Sequence, residues 1–169
     1  PIASPINQES TMKTVTFLIA ALTLTAQTNL AQAETKYKSV ASIKTDLQSM
    51  DWKDGKITMG SLKGIAITSQ STDPSLNGEY IQNCLIRAVR LKDSSEVMAN
   101  CTLTDKDGNV QFLTAERKQG DVSAGSSGRG MITIHGGTGK FQGITGTCEY
   151  TAKYLKDNWQ ITESECVSK

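Results

Sequence analysis

The residues with the most chemistry to offer are four cysteines, Cys84, Cys101, Cys148 and Cys166, and one histidine, His135. The cysteines match no zinc spacing and contain no Cys-x-x-Cys pair. They therefore read as two disulfides rather than a metal centre or a redox-active thiol. No metal and no cofactor is expected. His135 follows Met131-Ile132-Thr133-Ile134 at a strand end. A Ser-His-Asp triad would have to use it, although a strand-end imidazole is commonly a surface residue. Tyr150 and Tyr154 share one strand face with Ile144 and Cys148, where they would line a ligand cavity or pack in the core with their hydroxyls satisfied. Arg129 stands in the Gly- and Ser-rich run Ser123-Ala124-Gly125-Ser126-Ser127-Gly128-Arg129-Gly130. From a loop it would grip an anionic ligand; the bland alternative is a solvated connection. Tyr150, Tyr154, Arg129 and His135 are thus the candidate ligand-binding residues. Asn83, Arg87, Asn100 and Glu116 fall inside candidate strands and either line a cavity or mark the solvent face.

The elements that must position these side chains are short β-rich runs punctuated by Gly, Asp, Asn, Ser and Pro, the pattern of an all-β sandwich or barrel. Candidate strands cover 37–44, 56–70, 79–91, 96–104, 110–117, 130–135, 144–155 and 159–167. Between them lie turn signals such as Trp52-Lys53-Asp54-Gly55, Asp107-Gly108 and Lys156-Asp157-Asn158. A helical turn is expected at 47–51, and no long segment shows a 3.6-residue period. The fold class expected is an antiparallel eight-stranded up-and-down barrel, with a β-sandwich as the alternative.

Register links the strands to the cysteines. If Lys156-Asp157-Asn158 is a three-residue loop, Cys148 and Cys166 are equidistant from it and face each other across the hairpin. A non-hydrogen-bonded antiparallel pair lies ~4.5 Å apart at Cα, within disulfide reach. Asn158 suits the left-handed position that ends such loops. Cys84 and Cys101 fall one or two positions off the register of a loop centred on Asp93-Ser94. The pairing expected is Cys84–Cys101 and Cys148–Cys166.

The address is read from the other end of the chain. Met12-Lys13 opens a positive start, an apolar centre follows over 15–26, and Ala31-Gln32-Ala33 offers the small residues a signal peptidase accepts. The apolar centre is shorter than the ~20 residues a membrane helix needs. Residues 12–33 read as a secretory signal cut after Ala33. Residues 1–11 are an upstream extension or a cloning scar, and 34–169 form a single barrel domain in the periplasm or outside the cell. The whole sequence carries 18 basic and 17 acidic residues, a formal charge of +1, with the signs interspersed. Nucleic-acid binding would want a basic stripe, and none is visible. No integral membrane segment is expected after residue 33.

One run, His135-Gly136-Gly137-Thr138-Gly139-Lys140-Phe141-Gln142-Gly143-Ile144-Thr145-Gly146, has family character. It resembles the Gly-Gly-Thr-Gly-Lys-Phe turn of dirigent proteins and the similar Gly-Gly-(Ser/Thr)-Gly-x-Phe turn of allene oxide cyclases. The resemblance covers about a dozen residues and implies an eight-stranded barrel, here an exported bacterial member of that group. In it Gly136, Gly137 and Gly139 would build a tight turn and Phe141 would plug the barrel end. No acidic pair of those families aligns with this chain, so no catalytic residue carries over. A phosphate-binding loop is excluded, because it would need glycine where the chain has Ile134. Three functions stay open at this point. The barrel binds a small ligand without chemistry, it steers an isomerisation or cyclisation as those families do, or it contacts a protein partner through the 120–130 loop with Arg117, Lys118 and Arg129.

Overall fold

The computed structural model describes residues 34–118 and 122–169. The extension 1–11, the signal 12–33 with its cut after Ala33, and the 119–121 part of the Gly-rich loop lie outside the described residues. Eight strands follow in chain order: β1 (Thr35–Trp52), β2 (Gly55–Ser69), β3 (Gly78–Arg90), β4 (Ser95–Thr104), β5 (Val110–Arg117), β6 (Ser127–Gly137), β7 (Thr145–Tyr154) and β8 (Trp159–Ser168). Each pairs antiparallel with its sequence neighbour, and β8 returns to β1, so the sheet closes into an up-and-down barrel rather than a sandwich.

Strict alternation drives the closure. On β3, Tyr80, Cys84, Ile86 and Ala88 turn inward, while Glu79, Ile81, Asn83, Leu85 and Arg87 turn outward. Closure removes every sheet edge, which an open sheet would leave as unpaired N–H and C=O groups. Residues 47–51 are not helical. They continue β1, pairing with β2 up to Trp52↔Gly55, and the chain reverses over Lys53-Asp54 with Lys53 at φ 53°. Ladder pairing outweighs the helix propensity of Leu47, Gln48 and Met50.

Both disulfides form in direct cross-strand register. Cys84 faces Cys101 and Cys148 faces Cys166, each pair 4.0 Å apart at Cα. The β3–β4 loop is Leu91–Ser94, one position earlier than the sequence reading centred it, and this brings Cys84 and Cys101 into line. At the β7–β8 turn Asp157 and Asn158 take φ of 58° and 59°. Two disulfides fit a protein of an oxidising extracellular or periplasmic compartment. Among the described residues no helix is long and apolar enough to cross a membrane.

The connection from Thr138 to Ile144 seals one end of the barrel, while Gly136 and Gly137, read from sequence as part of the turn, still belong to β6. Phe141 is almost fully buried against Tyr80, ring centroids 5.9 Å apart, and the Tyr80 hydroxyl donates to the Leu76 carbonyl (2.6 Å). Gly136 and Gly139 adopt φ of 95° and 53°, backbone that a β-branched residue enters only with strain. Lys140 then reaches across the end, bonding the Ser75 carbonyl (3.0 Å) and pairing with buried Asp105 (3.2 Å). Asp105 also accepts from the Asp107 N–H (2.9 Å), the Asn109 N–H (2.8 Å) and Asn109 Nδ2 (2.9 Å). Burial alone pushes this carboxyl up. The bonds from Asn109, Lys140 and Asp107 outweigh it and hold it at about 2.

A carboxyl held below its unfolded value stabilises the fold fully above the unfolded pKa, ~3.9, and loses that contribution as pH falls through the folded value. The melting temperature should therefore drop between roughly pH 4 and pH 2. In Asp105→Asn this part of the acid limb should be missing, so the gap between the two proteins in a thermal melt should narrow as pH falls. A gap of constant size from pH 6 to pH 2 would contradict the assignment.

Candidate functional site

The opposite end is open. Its rim comes from the β1–β2 turn, the β3–β4 loop, the β5–β6 connection and the β7–β8 turn, and it encloses a mouth of about 580 Å³. Below it the lumen narrows to about 70 Å³. Val97 and Tyr154 line both spaces and mark where one leads into the other. An apolar cavity of ~150 Å³ admits benzene. The lumen therefore has no room for a whole ring; a ligand would sit in the mouth and send only a tip downward.

At this junction four polar side chains converge. Arg117, the last residue of β5, turns inward and is buried. Its Nη2 donates to the Tyr154 hydroxyl (3.2 Å), and its guanidinium carbon lies 5.3 Å from the Tyr154 ring centroid. Tyr154 faces Gln160 across the β7–β8 ladder. Gln160 Nε2 donates to Thr162 Oγ1 (2.7 Å), while Gln160 Oε1 is buried with no hydrogen-bond partner among the described residues. Tyr150 lies two residues before Ala152 on the same face. Burial raises its hydroxyl to about 12, against the lowering pull of Arg117 and with a further raise from Tyr154. Deeper in the lumen Tyr37 is also pushed up to about 12, chiefly by burial. Both phenols thus stay protonated at neutral pH.

The glycines that gave 123–130 its loop-like look serve this cluster. Ser127–Gly130 belongs to β6, and a Cβ on Gly128 would lie 1.8 Å from Arg117 Nη1. A Cβ on Gly130 would lie 2.7 Å from Tyr150 Cε1. These positions are empty so that the guanidinium and the phenol ring have somewhere to go. The remaining turn is tied to β7 by bonds from the Gly125 N–H to the Tyr154 carbonyl (2.7 Å) and from the Tyr154 N–H to the Ser126 carbonyl (2.9 Å).

The sequence-based candidates divide by strand parity. Tyr150 and Tyr154 point into the barrel as the shared face with Cys148 suggested. Arg129 and His135 lie on the outer face of β6 and do not join them. Arg129 shares an exterior groove with Glu149, Glu163 and Glu165, surroundings that suit balancing carboxylates rather than holding an anion. His135 Nε2 lies 2.9 Å from Thr114 Oγ1, which donates to Asn100 Oδ1 (3.2 Å). Satisfying both bonds makes the imidazole the donor to Thr114, the reverse of a base activating a hydroxyl. Arg117, read from sequence as part of an exposed contact loop, is instead inside. Asn83, Arg87, Asn100 and Glu116 are all exterior. Gln160 was not singled out by sequence reasoning; its parity with Thr162, Ser164 and Cys166 was the available signal.

Fold and site together define a closed eight-stranded antiparallel barrel, plugged at one end, with a polar junction beneath an open mouth. No protein-family model and no curated protein matches this chain.

Proposed function

We propose that this chain is an exported binding barrel that takes a small amphiphile through its mouth. The observation that carries the reading is the buried Gln160 Oε1, without a hydrogen-bond partner among the described residues, beside Tyr154 at the foot of the mouth. A buried acceptor without a donor costs free energy, and a ligand hydroxyl or N–H would relieve it. Above it, Leu47, Leu91, Val122, Leu155 and Trp159 offer an apolar wall, and Lys56 and Lys92 stand at the rim with Asp54. The ligand class is therefore a donor tip, an apolar body and an acidic group near the rim. The likeness of the Gly-Gly-Thr-Gly-Lys-Phe turn to dirigent proteins and allene oxide cyclases supports placing the barrel with those families. The apolar stretch at 15–26 and the two disulfides support export, with cleavage after Ala33 and a periplasmic or secreted destination.

An ω-hydroxy fatty acid has the required donor tip, apolar body and anion, and Trp159 in the mouth is a built-in fluorescence reporter. Its binding should weaken about tenfold in Gln160→Leu, one lost hydrogen bond to a buried acceptor. The same variant should melt at or above the wild-type temperature, since the orphan acceptor is gone. Equal affinity in the two proteins, or native mass spectra of host-purified protein that are always ligand-free, would overturn the reading.

A second reading rests on the Arg117–Tyr154 bond: a polar pair inside an apolar lumen is what a cyclase-like barrel would use to hold a reactive intermediate in one conformation. It predicts turnover that Tyr154→Phe abolishes while probe binding persists. The partner-binding reading through 120–130 keeps Lys118 and Arg129 on the outside but not Arg117, which is internal. Deleting 123–128 would also remove Gly128 from beside Arg117 and so would not leave the fold intact.

A further inference from the structure

The outer face of β3 carries the row Glu79, Ile81, Asn83, Leu85, Arg87, every member exposed. Ile81 and Leu85 are 61% and 72% exposed. On β2, Ile65 faces Ile81 and Ile67 faces Glu79, and these isoleucines are 53% and 50% exposed. Val40, opposite Ile67 on β1, extends the patch. Scattered exposed aliphatics are ordinary on a monomer, but a contiguous patch with charges at its rim marks an interaction site.

The order of the row says what fits it. Read from either end it is charge, aliphatic, amide, aliphatic, charge, with the two charges opposite in sign. We propose that this face docks on a second copy of itself. The two-fold axis would run between the faces, perpendicular to the strands and over Asn83. That operation lays Glu79 of one copy against Arg87 of the other, twice, and Ile81 against Leu85, twice. Asn83 meets its own counterpart, and a carboxamide carries both donor and acceptor, so it pairs with itself. On β2 the same axis sets Ile67 against exposed Met59 of the other copy. Lys63 on β2 and Lys44 on β1 also fall on the axis opposite their own counterparts, and their long stems let the ammonium groups turn out to water. Such an isologous contact is the commonest way identical chains associate. The alternative two-fold, along the strands, would set Glu79 on Glu79 and Arg87 on Arg87, and is disfavoured.

A charge-swap series read by sedimentation velocity across a concentration range tests this. The purified chain should form a dimer that weakens as salt rises. Arg87→Glu and Glu79→Arg should each raise the dimer dissociation constant about tenfold or more, because each makes two like-charge contacts. The double variant Glu79→Arg/Arg87→Glu should restore dimerisation to near the wild-type level. Circular dichroism on each variant separates lost association from lost fold; both positions are outside the core. The proposal fails if the chain stays monomeric at every concentration, including the case where it binds phosphatidylglycerol vesicles through this patch. It also fails if Arg87→Glu leaves the dimer intact, or if the folded double variant stays monomeric.

Discussion

A Gly137→Val protein should lose about 3 kcal/mol of stability, the upper part of the range for forcing extra atoms into packed structure. Gly137 is the residue where β6 meets the start of β5, opposite Gln111, beside a register shift between Gln111 and Leu113. Its backbone is not in the left-handed region, so the reason is space. A Cβ there would lie 2.0 Å from the Val110 carbonyl oxygen and 2.8 Å from Phe141 Cβ. Valine would push β5 off β6 and lift Phe141 from the sealed end together. A thermal melt should show a fall of roughly 10 °C. Probe binding at the mouth should fall only in proportion to the unfolded fraction. Should the variant melt like wild type and yet lose ligand, the turn acts in function and its structural assignment is wrong.

Removing a disulfide should cost a similar amount. Each closes a loop of 17 or 18 residues in sequence separation, for which the chain-entropy model gives about 3 kcal/mol. Cys148→Ala/Cys166→Ala and Cys84→Ala/Cys101→Ala should each lower the urea midpoint correspondingly. All four cysteines face the lumen and are buried, so a reductant reaches the bonds only when the barrel opens. Thiol titration in dithiothreitol should therefore be slow in buffer and fast in denaturant. Four thiols appearing at once in native buffer would show that the lumen is open to solvent.

Much of this architecture was legible because it is local. Alternating apolar residues set the strands, turn residues set the hairpins, and the equal distances of Cys148 and Cys166 from Lys156-Asp157-Asn158 set one disulfide outright. Parity would have sorted the candidate site as well. Ile132 and Ile134 point inward on β6, which puts Arg129 and His135 outside. Leu113 and Ala115 lie inward on β5, which puts Arg117 with them. What hid Arg117 was the Gly- and Ser-rich composition of 123–130, which looks like a loop until the guanidinium beneath Gly128 is seen. The Lys140–Asp105 pair was out of reach for another reason: it joins two turns distant in sequence, and no periodicity carries such information. The helical look of 47–51 failed because a ladder partner on β2 decides its conformation.

Both ends of the described chain leave from one place. Thr35 pairs with Ser168 across the β1–β8 seam, and Lys169 exchanges backbone bonds with Thr145 (2.8 and 3.0 Å), all beside the end that Phe141 and Lys140 seal. A tag or solid support attached at Lys169 therefore starts from the end of the barrel opposite the mouth. An immobilised barrel would stand like a cup on its base, its opening turned toward whatever diffuses past.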